Sequence, residues 1–389
     1  MKYNIKLMNK IAPIGTDVFD RNNYEVGAEI ENPEGIMVRS ASLHEMEFGD
    51  KLLGIARAGA GVNNIPIDTC SQKGIVVFNS PGANANAVKE LTIAGLFIAS
   101  RDIAGGIEWA KTLKGDPDCA KLVEKGKSQF EGPEIAGKKL GVIGLGAIGV
   151  MVANVAHDLG MEVYGYDPYI SIGAAWGLSR KIHKADTLKE ICEVSDYITI
   201  HVPLNPSTKG SINAETFAQM KDGVRILNFA RGEIVNYEDL AAALSSGKVA
   251  KYITDFPSAE VLEMNNAICI PHLGASTPES ENNCAYMAAC ELKNYIQYGI
   301  IKNSVNLPNV EVMPDSNTRI CIIHNNVPNV ISNITTILGE ANINIEHLTN
   351  QSKKEMAYTV VDVNAEVTQS LLAKIAGAEG VIRVRKIEN

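Results

Sequence analysis

The sequence predicts an α/β protein of two parallel sheets covered by helices, followed by a small α+β unit. Three observations carry this. From Tyr3 to Tyr298, short β-rich runs alternate with stretches of helical spacing, the pattern of parallel sheets with helices on their faces. Midway, Lys139–Gly149 reads KLGVIGLGAIG, an apolar strand that runs straight into a glycine turn. After Arg319 the order of elements becomes βαββαβ, which is ferredoxin-like.

Tyr3–Met8, Gly35–Arg39, Leu53–Arg57 and Gly74–Phe78 are the strands expected in the first sheet. The third ends in Arg57-Ala58-Gly59-Ala60-Gly61-Val62-Asn63-Asn64. Two glycines and two asparagines directly after a strand make a nest of backbone N–H groups suited to an anion. Arg57 at its mouth offers a bidentate fork to carboxylate or phosphate; a tight turn beside a surface arginine is the plainer reading. The fourth strand ends in Asn79-Ser80-Pro81-Gly82, again at a carboxyl end, where ligands of open α/β sheets gather. Asn86–Ser100 reads as a long apolar helix, and the lysine-bearing stretch Gly105–Gly132 as solvated helix surface.

Leu140–Ile143 opens the second sheet, and Gly144, Gly146 and Gly149 follow as G-x-G-x-x-G, with a helix expected over Val150–Leu159. Such glycines make a tight turn, admit a pyrophosphate to the backbone, and let the helix lie close to the strand. The helix N-terminus then presents unpaired N–H groups to the phosphates. A second strand, Glu162–Tyr166, ends in Asp167, placed to bond a ribose 2′-hydroxyl and to repel a 2′-phosphate, so NAD is expected over NADP. Tyr197–Val202, Arg225–Asn228, Tyr252–Thr254 and Ala267–Ile270 bring the strands to six, the complement of a Rossmann-like domain. Ser280–Tyr298 is a long helix expected to pack back on the first sheet, and Ser304–Asn317, with its prolines and asparagines, reads as a linker. The tail gives strand Arg319–Ile323, helix Val330–Ala341, strands Ile343–Thr349 and Met356–Val363, helix Val367–Ala376 and strand Val381–Lys386, which is ferredoxin-like and too small for a second enzyme.

Composition narrows the partners. The chain has 389 residues and a net charge of −9, which disfavours nucleic acid and requires a local basic cluster for any anionic substrate. Seven cysteines without a C-x-x-C fit buried thiols in a reducing cytoplasm, and no metal-ligand pattern stands out. The N-terminus lacks the apolar core of a signal peptide, and Leu91–Ala99 is too short to span a bilayer, so no membrane partner is expected.

Three polar loops follow strands of the second sheet: Asn228-Phe229-Ala230-Arg231-Gly232, Asp255-Phe256-Pro257-Ser258-Ala259-Glu260 and Pro271-His272-Leu273-Gly274. Arg231, Glu260 and His272 are the residue types that hydride transfer at a carbinol carbon requires. His272 takes the hydroxyl proton, Glu260 favours the imidazolium, and Arg231 grips a carboxylate. The plainer reading pairs Arg231 with Glu260 and leaves His272 as a helix cap.

At these residues the chain resembles the D-isomer-specific 2-hydroxyacid dehydrogenases. RAGAGVNN, KLGVIGLGAIG, YDP at 166–168, HVPLNPSTKG at 201–210, NFARGEIV and PHLGAST carry the resemblance over almost the whole length. It implies NAD-dependent oxidation of 3-phospho-D-glycerate to 3-phosphohydroxypyruvate, the entry step of L-serine synthesis, with Arg231, Glu260 and His272 as the catalytic triad. The cofactor contacts it implies are Ser80, Gly144, Gly146, Ala147, Ile148, Gly149, Asp167, Val202, Phe229, Ala230, Arg231, Asp255, His272, Gly274 and Ala275. Substrate contacts fall on Arg57, Ala58, Gly59, Ala60, Gly61, Asn79, Arg231 and His272. It also implies a discontinuous, flavodoxin-like substrate domain (1–98 and 282–305) around a nucleotide domain (99–281), then a linker (306–317). The tail, 318–389, resembles an ACT domain; His324, Asn326 and Asn344 match the contacts of an L-serine effector there, and a homodimer or homotetramer in the cytoplasm is expected.

The chain departs from the family pattern in places. Ala147 stands where an arginine is frequent, Asn63 replaces an aspartate, and Asn329 replaces a glycine. D-V-F-x-x-E becomes D-F-P-S-A-E with a short span to His272, which makes Glu263 a rival to Glu260. A hydroxypyruvate or glyoxylate reductase on the same scaffold is the second reading, and a dinucleotide-sensing binding protein a third.

Overall fold

The computed structural model describes residues 2–388. By contacts the chain forms two compact units, one of residues 1–84 and 278–389, the other of residues 85–277.

In the first unit, strands β1 (Tyr3–Leu7), β2 (Tyr24–Gly27), β3 (Gly35–Val38), β4 (Gly54–Arg57) and β5 (Val76–Phe78) form a parallel sheet in the order β2-β1-β3-β4-β5. That order is flavodoxin-like. β2 is absent from the sequence reading; of its four residues only Tyr24 is buried, so no apolar pattern marks it. Side chains alternate between the faces, as strand geometry dictates. Ile36, Val38, Ile55 and Val77 enter one core, while Met37, Ala56, Val76 and Phe78 enter the other.

The second unit opens with helix α1 (Ala85–Ser100), which the sequence reading put largely with the first sheet. Its sheet holds β6 (Lys139–Ile143), β7 (Glu162–Tyr166), β8 (His183–Lys184), β9 (Tyr197–Ile200), β10 (Val224–Asn228), β11 (Val249–Thr254) and β12 (Ala267–Cys269). All seven strands are parallel, in the order β12-β11-β10-β9-β6-β7-β8. The seventh, β8, is a two-residue exposed edge and escaped the sequence reading. Helix α2 (Ala147–Asp158) begins three residues before the predicted Val150, directly at the glycine turn.

The chain returns to the first unit through α3 (Pro278–Tyr298), whose Ala285, Ala289, Leu292 and Tyr295 pack in the core of the first sheet. The segment expected as a linker is fixed instead. Ser304 bridges to Phe78, and Asn306 accepts from the Val77 amide at 2.9 Å while donating to the Ile75 carbonyl at 2.9 Å. Asparagines read as loop formers here satisfy a sheet edge.

The tail is a four-stranded antiparallel sheet in the order β14-β15-β13-β16, from β13 (Thr318–Asn325), β14 (His347–Lys353), β15 (Met356–Val363) and β16 (Val381–Glu388). Helices α4 (Val330–Glu340) and α5 (Gln369–Ala376) cover one face through Ile334, Leu338, Leu371 and Ile375. The other face, with Cys321, Ile323, Tyr358 and Val360, shares a core with Tyr295 and Ile296 of α3. β14 lies four residues later than predicted, because Ile343 and Ile345 pack beneath the sheet as loop residues and the strand itself is polar and exposed.

Candidate active site

The glycine turn after β6 has three distinct requirements. Gly144 has φ +92°, and a Cβ there would lie 2.7 Å from the His201 carbonyl oxygen. A Cβ at Gly149 would overlap the Gly144 carbonyl. Gly146 is different: a Cβ there would meet no atom within 4 Å. Protein packing does not require glycine at 146, whereas close approach of a ligand does. α2 starts at this point with no side-chain cap and no acidic residue in its first turn, so its N–H groups are left for an anion. At the end of β7 the Asp167 carboxylate accepts from the Leu145 and Tyr169 amides, each at 2.8 Å, which fixes it beside the turn. Val202 packs against Gly144, and Ala147 and Ile148 open the helix.

The chemical residues come from the carboxyl ends of β10, β11 and β12. Asn228, fully buried, organises the first loop: its amide donates to the Arg231 carbonyl at 2.9 Å and to the Tyr252 hydroxyl at 3.1 Å, and its Oδ1 accepts from the Ala230 N–H. The Arg231 guanidinium stands 5.8 Å from the centre of the Phe256 ring, and the His272 ring lies 4.8 Å from the same ring. Phe256 therefore joins the arginine and the histidine. The side chains of Arg231 and His272 are exposed, while Phe229 below them is buried.

Asp255 is buried. Its Oδ2 accepts from the Gly274 amide at 3.0 Å, and its Oδ1 has no hydrogen-bond partner. Burial pushes this carboxyl above its ordinary value, against the pull of the Gly274 amide and of the His272 and Arg231 charges. An orphaned acceptor at a strand end, an open cradle at Gly146 and a fixed Asp167 fit a nicotinamide dinucleotide, with the carboxamide N–H as the donor Asp255 lacks. Ala275 follows the Gly274 anchor and is half-buried.

Glu260 does not reach this group. Ser258 caps the short helix Ala259–Leu262 by accepting from the Val261 amide at 3.3 Å. The cap turns Glu260, with Glu263, into the wall of a cavity of about 1100 Å³ that also holds Tyr237 and Glu233. Among the described residues no hydrogen bond or ion pair joins either glutamate to His272. The expected glutamate–histidine pair is thus not formed; the shortened span between Asp255 and His272 brings the aspartate's segment against the imidazole instead.

In the first unit the predicted substrate loop is tightly held. Arg57 Nε donates to the Arg39 carbonyl at 3.2 Å, and its guanidinium lies where a Cβ at Gly59 would fall. Asn79 donates to the Ala60 carbonyl at 2.6 Å, beside Ala58 and Gly61. Ser80 is buried, its hydroxyl 3.1 Å from the Arg57 carbonyl and 2.9 Å from that of Cys284, so this side chain braces the loop rather than facing a ligand. Arg39 pairs with Glu281 at 2.7 Å. Arg39, Asn228 and Phe256 lie in strands and loops read from the sequence, but no role was read for them. An asparagine that ends an apolar strand, at Asn228, is a signal the sequence did offer.

The tail residues lie apart. His324 is buried, with Nδ1 2.7 Å from the Asn325 carbonyl and Nε2 2.9 Å from the Thr359 hydroxyl. Asn326 donates to the Lys354 carbonyl at 3.1 Å, and Asn344 to Glu346 at 3.2 Å. His324 pairs in register with Ala357, whereas the Glu346 amide bonds to the Asp362 carbonyl, so Asn344 is at the opposite end of the sheet.

Residues 94–274 match the NAD binding domain of the D-isomer specific 2-hydroxyacid dehydrogenases. The chain is 32% identical to D-3-phosphoglycerate dehydrogenase of Haemophilus influenzae, over 90% of this chain and 85% of that one. It is 35% identical to the human protein of the same name, over 75% of this chain and 55% of the longer human chain. Among solved structures, an NAD+-bound 3-phosphoglycerate dehydrogenase of Entamoeba histolytica superposes with a TM-score of 0.62 at 27% identity, covering 80% of this chain and all of that one. The chain belongs to the D-isomer-specific 2-hydroxyacid dehydrogenase family. Within that family, the relatives it aligns with over most of both lengths are D-3-phosphoglycerate dehydrogenases.

Proposed function

We propose that the chain oxidises 3-phospho-D-glycerate to 3-phosphohydroxypyruvate with NAD, the entry step of L-serine synthesis. The observation that carries this is the emergence of Arg231, Asp255 and His272 at the carboxyl ends of three neighbouring strands, in the sheet whose β6 ends in the glycine cradle. Arg231 grips the substrate carboxylate and aims the carbinol carbon. His272 takes the hydroxyl proton and becomes imidazolium, and returns it in the reverse direction. NAD, when bound, accepts the hydride. Asp255 holds the carboxamide, and Asp167 the ribose. Arg57, at the end of β4, is assigned to the substrate phosphate because its guanidinium offers a bidentate fork to an anion. Comparing kcat/KM for phosphorylated and unphosphorylated substrate tests this. A charge-assisted bond is worth about 1.5–3 kcal/mol, so the ratio falls by at least about tenfold in Arg57→Ala. Equal values in the wild type favour a hydroxypyruvate or glyoxylate reductase.

The ACT-like tail is assigned to regulation by L-serine. Because His324 and Asn344 stand at opposite ends of one sheet, a ligand touching both with Asn326 is shared between two chains, and a homodimer or homotetramer follows. Activity unchanged at saturating serine removes this part. No helix of the described residues is long and apolar enough to cross a membrane, and a cytoplasmic enzyme is the reading adopted.

A further inference from the structure

The edge strand β14 ends beside the substrate loop's own sheet. Its last residues, with Asn79 and residues 303–309, line an open groove of about 660 Å³. That lies within the size range of small-molecule sites. Val305, Leu307 and Pro308 form its apolar side, and Ser304, Asn309, Gln351 and Ser352 its polar side around Lys353, the one charged residue lining it among the described residues. The Lys353 ammonium donates to the Ser304 carbonyl at 2.8 Å. Among the described residues no carboxylate pairs with it. Burial and the neighbouring Lys354 both hold its pKa below the ordinary lysine value, as expected for a cation without a counter-ion. None of His324, Asn326 and Asn344 lines this groove.

We propose that this groove binds a small carboxylate carrying an adjacent amino or hydroxyl group, with Lys353 as its counter-ion. An ammonium has three donors, and the Ser304 carbonyl uses one. The amides of Asn309 and Gln351 each supply a donor and an acceptor for the group next to the carboxylate. A single lysine and no guanidinium suit a monoanion better than a phosphate dianion. Occupation is coupled to β5 and the Arg57 loop through two contacts. Segment 304–306 runs beside β5, with the Val305 amide donating to the Val77 carbonyl at 2.8 Å. Asn79 lines the groove and also bonds Ala60 in the Arg57 loop. This coupling, but not the binding itself, rests on the loop's reading as the substrate site.

The test is calorimetric titration of the cofactor-free full chain with glycine and, separately, glycolate, which distinguishes an amino from a hydroxy acid. One of them is expected to saturate at one site per chain. Lys353→Met weakens that binding by about tenfold or more, as loss of a charge-assisted bond does. Gln351→Ala weakens it too, and serves if Lys353→Met does not fold. Arg57→Ala and Asn344→Ala leave it unchanged. Absence of saturable binding by either probe overturns the proposal. So does affinity that survives both groove substitutions, or that is lost in Arg57→Ala, which places the probe in the substrate loop.

Discussion

At His272 the imidazole rests on Phe256, and the same ring carries the guanidinium of Arg231. His272→Asn removes the proton acceptor and is expected to lower kcat by about 10²–10⁴, measured by NADH absorbance under saturating substrate. Glu260 faces a separate cavity, so Glu260→Gln is expected to cost far less than His272→Asn in the same assay. Gly146 separates packing from binding. Its φ is −76°, and a Cβ there meets no atom within 4 Å. Gly146→Ala therefore leaves the melting temperature unchanged while weakening NAD by about tenfold, or ~1.4 kcal/mol. A large loss of stability contradicts the cradle. Glu291 gives a pH dependence. It is buried on α3, accepts from Asn303 at 2.6 Å through Oε1, and leaves Oε2 unpartnered; burial pushes its carboxyl from 4.5 up to about 8. Between those values the folded chain keeps a proton that the unfolded chain has lost. Stability therefore falls as pH rises across this window, by up to about 1.4 kcal/mol per unit. Glu291→Gln flattens that slope in melting curves taken from pH 5 to 8.5.

At the scale of elements, α3 is the clearest case of a helix finished by another part of the chain. Its last carbonyls have no partners within the helix. Arg319 takes Tyr298 at 2.9 Å, Arg385 takes Ile296 at 2.7 Å, and the Tyr358 hydroxyl takes Gly299 at 2.7 Å. Arg319 is itself held by both oxygens of Asp362 at 2.7 Å, with the pair buried. Tyr358→Phe strands a buried carbonyl and is expected to cost about 1–3 kcal/mol, seen as a lower denaturant midpoint. None of this was legible in the sequence, where α3 and the tail strands read as separate amphipathic pieces. What was legible had a local cause. β6, β7 and the glycine turn announce themselves because one strand, one turn and one helix must follow in order. β2 and β8 did not, and β14 was read four residues early, because an edge strand is held by backbone bonds that any side chain permits. The Arg231 and His272 loops were legible as strand ends. Glu260 misled because three spaced residue types say nothing of a serine cap that turns one of them away.

At the scale of the whole molecule, the chain divides into two units: residues 85–277 hold the glycine turn, Arg231 and His272, and the other unit holds the Arg57 loop and the C-terminal sheet. The proposed role of Asp167 makes a prediction about the cofactor. Asp167 is fixed by two amides at the end of β7, where an acid that bonds the ribose would repel a 2′-phosphate. NAD is therefore preferred in kcat/KM, and Asp167→Ser narrows the gap. The most direct measurement follows NADH formation from 3-phospho-D-glycerate and NAD with the wild type and His272→Asn in parallel. The expected result is steady turnover by the first and a loss of at least about a hundredfold in the second. Equal turnover by the two, or none by a folded wild type that binds NAD, contradicts it.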